Sequence, residues 1–92
     1  MIERTATIRN ALGMHARAAA RFVQRAGAYQ CRVTVMRLDR GDRQVDGKSI
    51  LGLLLLAAAR GAAIRISADG PDEAEALGAL CRLVESGFGE ES

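Results

Sequence analysis

Residues 10–23 have the sequence Asn-Ala-Leu-Gly-Met-His-Ala-Arg-Ala-Ala-Ala-Arg-Phe-Val and join a turn to the start of a helix. Before this segment, Ile2, Ala6 and Ile8 alternate with polar residues, and this pattern predicts a half-buried strand that ends near Arg9. After the turn, alanines recur at helical spacing while arginines four residues apart occupy another face. We expect Gly27 to end this helix as a C′ residue, so the chain opens with a strand and a helix. The expected inward side chains are Ile2, Ala6 and Ile8 in the strand and Ala16, Ala19, Ala20, Val23 and Ala26 in the helix.

Two strands joined by a turn are expected next. Apolar residues at 31, 33 and 35 alternate with polar ones, and residues 43–45 return after a turn at 39–41, which predicts a hairpin. Cys31 lies on the apolar side of the first of these strands, and Cys81 lies on the apolar stripe of the last helix. Such positions suit reduced, buried thiols better than a disulfide or a metal site.

The second half of the chain predicts a helix, a strand and a further helix. Ser49 begins a short helix that is apolar nearly all round to Leu54 and continues loosely to Ala59. A strand follows over 63–68, and a proline with two acidic residues at 71–73 favours the start of a helix that ends at Gly87 and Gly89. The expected inward side chains are Leu53, Leu55 and Leu56 in the short helix, Ile64 and Ile66 in the strand, and Ala74, Leu77, Leu80, Cys81 and Val84 in the last helix.

The order of elements is therefore β-α-β-β-α-β-α, in one domain over residues 1–92, with a frayed tail expected at 90–92. A chain of this length has material for a single core. Its strands are polar on one face and its helices are amphipathic. Two layers, one sheet covered by helices on one side, bury every apolar stripe at once. The predicted class is α+β, a two-layer open-faced sandwich.

Composition and charge narrow the classes of function. Residues 1–43 hold nine arginines and three acidic residues, a net charge of +6, whereas 44–92 hold four basic and eight acidic residues, a net charge of −4. The chain has one Tyr, two Phe and no Trp, so it lacks the aromatic platforms that RNA binding would need. We therefore expect acidic protein partners and no nucleic acid, no cofactor and no metal. The absence of a signal peptide and of a membrane-length apolar run predicts a cytoplasmic protein, and we expect a monomer.

The candidate site is the lone histidine, His15, directly before the first predicted helix. The first backbone N–H groups of a helix lack intrahelical partners and carry partial positive charge. Gly13 and Met14 offer no side-chain oxygen to cap them, so the vacancy suits an anion. A phosphoryl group on His15 could accept bonds from the N–H groups of Ala16, Arg17 and Ala18 and from the Arg17 guanidinium. A surface histidine without function is the alternative that position alone leaves open.

Two segments resemble the histidine-containing phosphocarrier family, HPr, of the phosphoenolpyruvate-dependent phosphotransferase system. They are Asn10-Ala-Leu-Gly-Met-His-Ala-Arg-Ala-Ala-Ala-Arg-Phe-Val23 and Val45-Asp-Gly-Lys-Ser-Ile-Leu-Gly-Leu-Leu-Leu-Leu-Ala-Ala58. The resemblance covers nearly the whole chain. It implies that His15 is phosphorylated on Nδ1 by phosphorylated enzyme I and passes the group to IIA-type domains, with assistance from Arg17. It also implies an antiparallel sheet in strand order 1-4-2-3 with three helices on one face.

The resemblance places Ser49 at the family's regulatory serine, which HPr kinase/phosphorylase modifies in some bacteria; an ordinary helix cap is the simpler alternative. Phosphorylation there would add a charge of about −1.5 to −2 beside apolar residues of the short helix. We expect these residues to form a docking patch, which an acidic partner would then avoid. The expected docking residues are Met14, Arg21, Lys48, Ile50, Leu51 and Leu54.

The chain departs from many relatives at Ala18, where they have Pro, and we expect only a slight effect because Ala is a good helix former. The turn at 39–42 is somewhat long for the family, and the ending Ser86-Gly-Phe88 is similar to that of nitrogen-regulatory as well as sugar-linked members. Two other functions are possible at this point. One is a small acylphosphatase-like hydrolase, although the expected phosphate loop is missing, and the other is a regulatory module that is never phosphorylated. The predicted protein is a stoichiometric carrier and not an enzyme.

Overall fold

The structure, a computed structural model, describes residues 1–39 and 43–90. Strands and helices follow one another along these residues in the order that the sequence predicts. The elements are β1 (Ile2–Thr7), α1 (Ala16–Ala26), β2 (Arg32–Arg37), β3 (Gln44–Asp46), α2 (Ile50–Leu56), β4 (Ala63–Asp69), α3 (Glu73–Glu85) and a final 3₁₀ turn (Gly87–Gly89). The centre of the predicted hairpin turn, at 40–42, lies outside the described residues.

The four strands form one antiparallel sheet in the order β1-β4-β2-β3. In the centre of the sheet, Ile66 of β4 lies opposite Arg4 of β1 and Val35 of β2. Alternate side chains of β2 and β4 are buried, and the three helices pack on the face of the sheet that carries them. The α+β open-faced sandwich with strand order 1-4-2-3 is confirmed.

The core between the layers is mainly aliphatic, with the rings of Phe22 and Phe88 fully buried in it. Cys31 and Cys81 are free, buried thiols, as the sequence predicts. Burial is the largest cause that raises the pKa of both. Neither thiol is therefore an activated nucleophile.

The first strand and the first helix bury a different set of side chains from the one expected. Ile2 lies at the start of β1 and is 36% exposed. In α1, Ala16 and Ala20 are exposed and Val23 is half-buried, whereas the buried set is Ala18, Ala19, Phe22 and Ala26. Alanines surround this helix, so their spacing does not define its inward side; the large ring of Phe22 does. Gly27 follows the helix with φ −66°, so it is a right-handed C-cap and not the expected left-handed C′ residue.

The short helix α2 ends earlier than predicted, because Ala57 adopts a left-handed conformation with φ 54° directly after Leu56. Leu53 and Leu56, three residues apart, face the core, whereas Leu55 is 60% exposed and was wrongly expected inside. In α3, Ala74 is exposed, and the buried stripe starts at Ala76. Both errors have one cause: in a short helix, the buried stripe of side chains is narrower than the number of apolar residues suggests.

Asp72 stands at the N-cap position of α3 without a side-chain capping bond. Its carboxylate instead accepts hydrogen bonds from the backbone N–H groups of Gln30, at 2.8 Å, and Cys31, at 3.0 Å. The Gln30 bond is the largest cause that lowers the pKa of Asp72. This acidic residue therefore ties the start of β2 to the start of α3, beyond its expected effect on the helix dipole.

Candidate functional site

The loop between β1 and α1 is held against the segment that follows α2. The N–H of Met14 donates to the carbonyl oxygen of Ala58 at 2.9 Å. Gly13 has φ +68°, and a Cβ at this position would lie 2.5 Å from the same Ala58 oxygen. Glycine is therefore required here by both conformation and space. Met14, which was expected beside the docking patch, is only 4% exposed and therefore offers little surface to a partner.

His15 is the N-cap residue of α1, with extended backbone dihedrals, and its Nδ1 accepts a hydrogen bond from the backbone N–H of Arg17 at 3.2 Å. The first turn was expected to have no side-chain cap; the imidazole itself provides one. The His15 side chain is 25% exposed, so the ring is accessible from solvent. Nδ1 therefore lies in front of the first turn of α1, the position that the sequence predicts for an anion.

Glu90 contacts the other ring nitrogen: its Oε2 lies 2.8 Å from His15 Nε2. Because Arg17 N–H is a donor, Nδ1 must carry the lone pair, and the proton of the neutral ring then sits on Nε2 and is donated to the carboxylate. Burial raises the pKa of Glu90, but hydrogen bonds from Asn10 and His15 outweigh it, and the net pKa lies below its ordinary value. The tail was expected to be frayed from residue 90; the carboxylate of Glu90 is instead part of the site.

Asn10 links Glu90 to the loop. Its Nδ2 donates to the carbonyl oxygen of Gly13 at 2.7 Å and to Glu90 Oε1 at 2.9 Å. The residue is 1% exposed, and its Oδ1 has no hydrogen-bond partner within the described part of the chain. A buried acceptor without a partner costs about 1–3 kcal/mol. Turning the amide over would give up both hydrogen bonds that Nδ2 donates, to Gly13 and to Glu90, so these two acceptors set its orientation.

The two arginines near His15 differ in their surroundings. Arg17 and His15 line the same open pocket, together with Ala16 and Glu90. Arg21 also borders this pocket, but its guanidinium donates to the carbonyl oxygen of Phe88. Arg17 therefore stands where it can meet an anion on His15, whereas Arg21, expected as a docking residue, holds the C-terminal turn in place.

Ser49 is the N-cap of α2, and its Oγ accepts from the N–H of Gly52 at 3.0 Å. The helix-cap interpretation of this serine is confirmed. Lys48 beside it is half-buried, and its ammonium donates to the carbonyl oxygen of Tyr29 at 2.7 Å. This lysine was expected to dock a partner, but its charged group is already engaged within the fold.

The exposed apolar face of α2 is called the α2 patch below and comprises Ile50, Leu51, Leu54 and Leu55, which are 43%, 67%, 38% and 60% exposed. Three of these residues were expected there, and Leu55 is added. Contiguous exposed apolar side chains of this kind are typical of a protein-binding surface.

Sequence reasoning missed Asn10 and Glu90 as members of the site. A signal for Asn10 existed, since it is the one asparagine of the chain and lies in the same turn as Gly13. Glu90 gave no comparable signal, because it lies 75 residues from His15 along the chain and meets it only through the fold.

Within residues 1–39 and 43–90, no three His, Cys, Asp or Glu side chains are grouped so that they could hold a metal ion. In the same residues, no helix has the length and apolarity needed to cross a bilayer.

Comparison with known proteins assigns the family. Residues 2–86 match the family model described as the PTS HPr component phosphorylation site. The phosphocarrier protein HPr of Cupriavidus necator is 47% identical over 90 residues, which cover 98% of both chains. The phosphocarrier protein NPr of Shewanella violacea is 37% identical over 91 residues, covering 99% of this chain and 97% of the relative. The crystal structure of HPr-C-His from Thermoanaerobacter tengcongensis superimposes with a TM-score of 0.91 at 42% identity and covers 100% of both chains.

The open-faced sandwich, the histidine at the start of its first helix and these matches together define the class: the small phosphocarrier proteins of the phosphotransferase system. The chain belongs to the HPr family.

Proposed function

We propose that His15 accepts a phosphoryl group on Nδ1 from phosphorylated enzyme I and transfers it to IIA-type domains, so that the protein acts as a stoichiometric carrier in the cytoplasm. The observation that carries this proposal is the lone pair of Nδ1, which faces the first turn of α1 at 3.2 Å from the N–H of Arg17. In the forward step, Nδ1 attacks phosphorus and a nitrogen–phosphorus bond forms. The bond from phosphorus to the donor breaks, and the donor keeps the electron pair.

The site is suited to a group that must leave again. Phosphoryl oxygens placed beside Nδ1 would face the N–H groups at the start of α1 and the exposed guanidinium of Arg17. An anion at an exposed helix start gains about 0.3–1 kcal/mol. Full enclosure by charged hydrogen bonds would add about 1.5–3 kcal/mol for each bond. The open position of His15 therefore favours transfer over permanent retention.

The test of this function is incubation with phosphoenolpyruvate and enzyme I, followed by measurement of the intact mass. We expect one phosphate adduct that acid removes and that His15→Ala lacks. An adduct in His15→Ala would refute the site. Hydrolysis of acyl phosphate without enzyme I would instead support the acylphosphatase-like alternative, and retained signalling by His15→Ala would support a module that is never phosphorylated.

Docking of enzyme I and IIA-type domains is assigned to the α2 patch. Its four apolar side chains are exposed, and α1 contacts α2 within the fold, so the patch and His15 belong to neighbouring helices. The net charge of +6 over residues 1–43 supports partners with acidic surfaces around an apolar centre. Such partners bind the protein as a monomer.

Regulation is assigned to Ser49, with HPr kinase/phosphorylase as the modifying enzyme. A phosphate on Oγ keeps oxygen acceptors within reach of the Gly52 N–H, which Oγ already bonds at 3.0 Å, so α2 would keep its cap. The added charge would stand at the edge of the α2 patch and oppose the approach of an acidic partner. Phosphorylation therefore changes docking and leaves the fold in place.

A further inference from the structure

The segment after α3 turns back over the start of α1. Gly87, Phe88 and Gly89 all have positive φ, at 70°, 59° and 72°. A residue other than glycine in this conformation costs about 1–3 kcal/mol. Phe88 offsets this cost, since its side chain is 1% exposed and packs in the core. The reversal of the chain is therefore fixed by burial of Phe88.

Two backbone contacts hold the next residue in place. The guanidinium of Arg21 donates to the carbonyl oxygen of Phe88, and the N–H of Glu90 donates to the carbonyl oxygen of Gly87 at 3.0 Å. The Glu90 side chain is consequently 13% exposed, a low value for a glutamate. Its carboxylate is directed towards His15 by the fold.

The two carboxylate oxygens of Glu90 have one donor each. Oε1 accepts from Asn10 Nδ2 at 2.9 Å, and Oε2 accepts from His15 Nε2 at 2.8 Å. A carboxylate has acceptors on both atoms, whereas an amide has an acceptor on only one. Asn10 cannot turn its oxygen towards Glu90 without losing its bond to the carbonyl oxygen of Gly13. Only an acidic side chain therefore satisfies both donors at once.

We propose that Glu90 is a positioning residue that fixes the tautomer of His15, keeping the proton on Nε2 and the lone pair on Nδ1. This inference rests on the proposed function for its role in phosphoryl transfer. When Nδ1 forms its bond to phosphorus, no proton has to leave Nδ1, and the ring becomes positively charged. The charge faces the carboxylate of Glu90, so one hydrogen bond selects the nucleophile and stabilises the product.

The experiment compares the wild type with Glu90→Gln and with Glu75→Gln as the matched control. Glu75 lies in the exposed first turn of α3, about 15 Å along the helix from the end that adjoins Glu90. Both substitutions remove one negative charge. In Glu90→Gln, Asn10 Nδ2 and His15 Nε2 compete for a single acceptor oxygen, so only the long bond from the Arg17 N–H, at 3.2 Å, still favours one tautomer.

The first readout is the long-range ¹H–¹⁵N spectrum of the His15 ring at a pH where the ring is neutral. We expect a protonated Nε2 and an unprotonated Nδ1 in the wild type and in Glu75→Gln, and a mixture of tautomers in Glu90→Gln. A wild-type ring with its proton on Nδ1 would overturn the inference, and this spectrum needs no variant to fold. An unmixed tautomer in folded Glu90→Gln would overturn it as well.

The second readout is the rate of phosphorylation by enzyme I. We expect Glu90→Gln to be slower by about tenfold or more, as for other residues that orient a functional histidine, and Glu75→Gln to match the wild type. Equal rates for all three proteins would overturn the role in transfer. A wild type that shows the expected tautomer but takes no phosphate would refute the proposed function alone, because the spectrum is recorded on the unphosphorylated protein.

Discussion

Replacement of Ser49 by Asp places a fixed negative charge at the edge of the α2 patch. Asp caps helices about as well as Ser, and its carboxylate can accept from the Gly52 N–H that Ser Oγ now accepts at 3.0 Å. We therefore expect the free energy of unfolding to change by less than about 0.5 kcal/mol. The effect should fall on docking instead.

The size of that effect follows from the charge. If a partner carboxylate approaches to about 6 Å, repulsion is about 0.7 kcal/mol in a medium like water and about 2.8 kcal/mol at the effective dielectric constant near a protein surface. These energies correspond to a loss of about threefold to a hundredfold in kcat/KM for phosphoryl transfer from enzyme I. Added salt should reduce the loss, because the Debye length is about 8 Å at 0.15 M.

The matched control is Ser49→Asn, which keeps a good N-cap of similar size without the charge. Steady-state transfer from enzyme I would be measured for the three proteins at two salt concentrations. We expect Ser49→Asn to behave as the wild type and Ser49→Asp to be slow at low salt. Equal slowing in Asn and Asp variants would show that loss of the serine, and not charge, is responsible. An unchanged rate in Ser49→Asp would refute the proposed switch.

Three further outcomes are expected. Gly13→Ala should lower the free energy of unfolding, measured by urea titration, by about 2–3 kcal/mol. A left-handed alanine costs about 1–2 kcal/mol, and its Cβ would displace the Ala58 oxygen and break its bond to Met14. A free energy of unfolding equal to that of the wild type within error would contradict the geometry. The pKa of Glu85 is lowered, first by the Thr7 N–H and then by Arg9, so its stabilisation is present above the pKa of the unfolded chain and is lost as pH falls through the folded value. Glu85→Gln should therefore be less stable than the wild type at pH 7 and should approach it below about pH 4. Both cysteines should react with a thiol reagent only as fast as the protein opens, because both side chains are buried, at 1% and 4% exposed. Rapid labelling of the folded protein would contradict this.

The strands and their order along the chain could be predicted because the alternation of apolar and polar residues determines which face of each strand is buried. In β4, Ile64, Ile66 and Ala68 are separated by polar or charged side chains, and a shift by one residue would expose all three. The helices were harder. Alanine occurs on several sides of α1, so the inward side was decided by Phe22, a residue that the spacing of alanines did not single out.

The site was predictable where its parts are local in sequence. His15 directly precedes α1 as predicted, although the capping bond to its own Nδ1 was not expected. Glu90 was not predictable, because its contact depends on the angle at which the chain leaves α3 and on the burial of Phe88. No sequence pattern within the last few residues predicts that angle. The same holds for Arg21, whose bond to Phe88 joins two parts of the chain 67 residues apart.

One atom, Nδ1 of His15, has two uses in the proposed carrier, and this limits how tightly phosphate is held. In the free protein its lone pair accepts from the N–H of Arg17 at 3.2 Å, a long and neutral bond worth about 0.5–1.5 kcal/mol. Formation of the bond to phosphorus consumes this lone pair and breaks the cap. Phosphoryl oxygens then take over the same N–H in a charge-assisted bond worth about 1.5–3 kcal/mol. The net gain is the difference, about 1–2 kcal/mol, or about five- to thirtyfold in the transfer equilibrium. A site that left the N–H empty in the free protein would gain the whole amount and release the group less readily, so capping by the acceptor histidine itself favours a carrier that both loads and unloads.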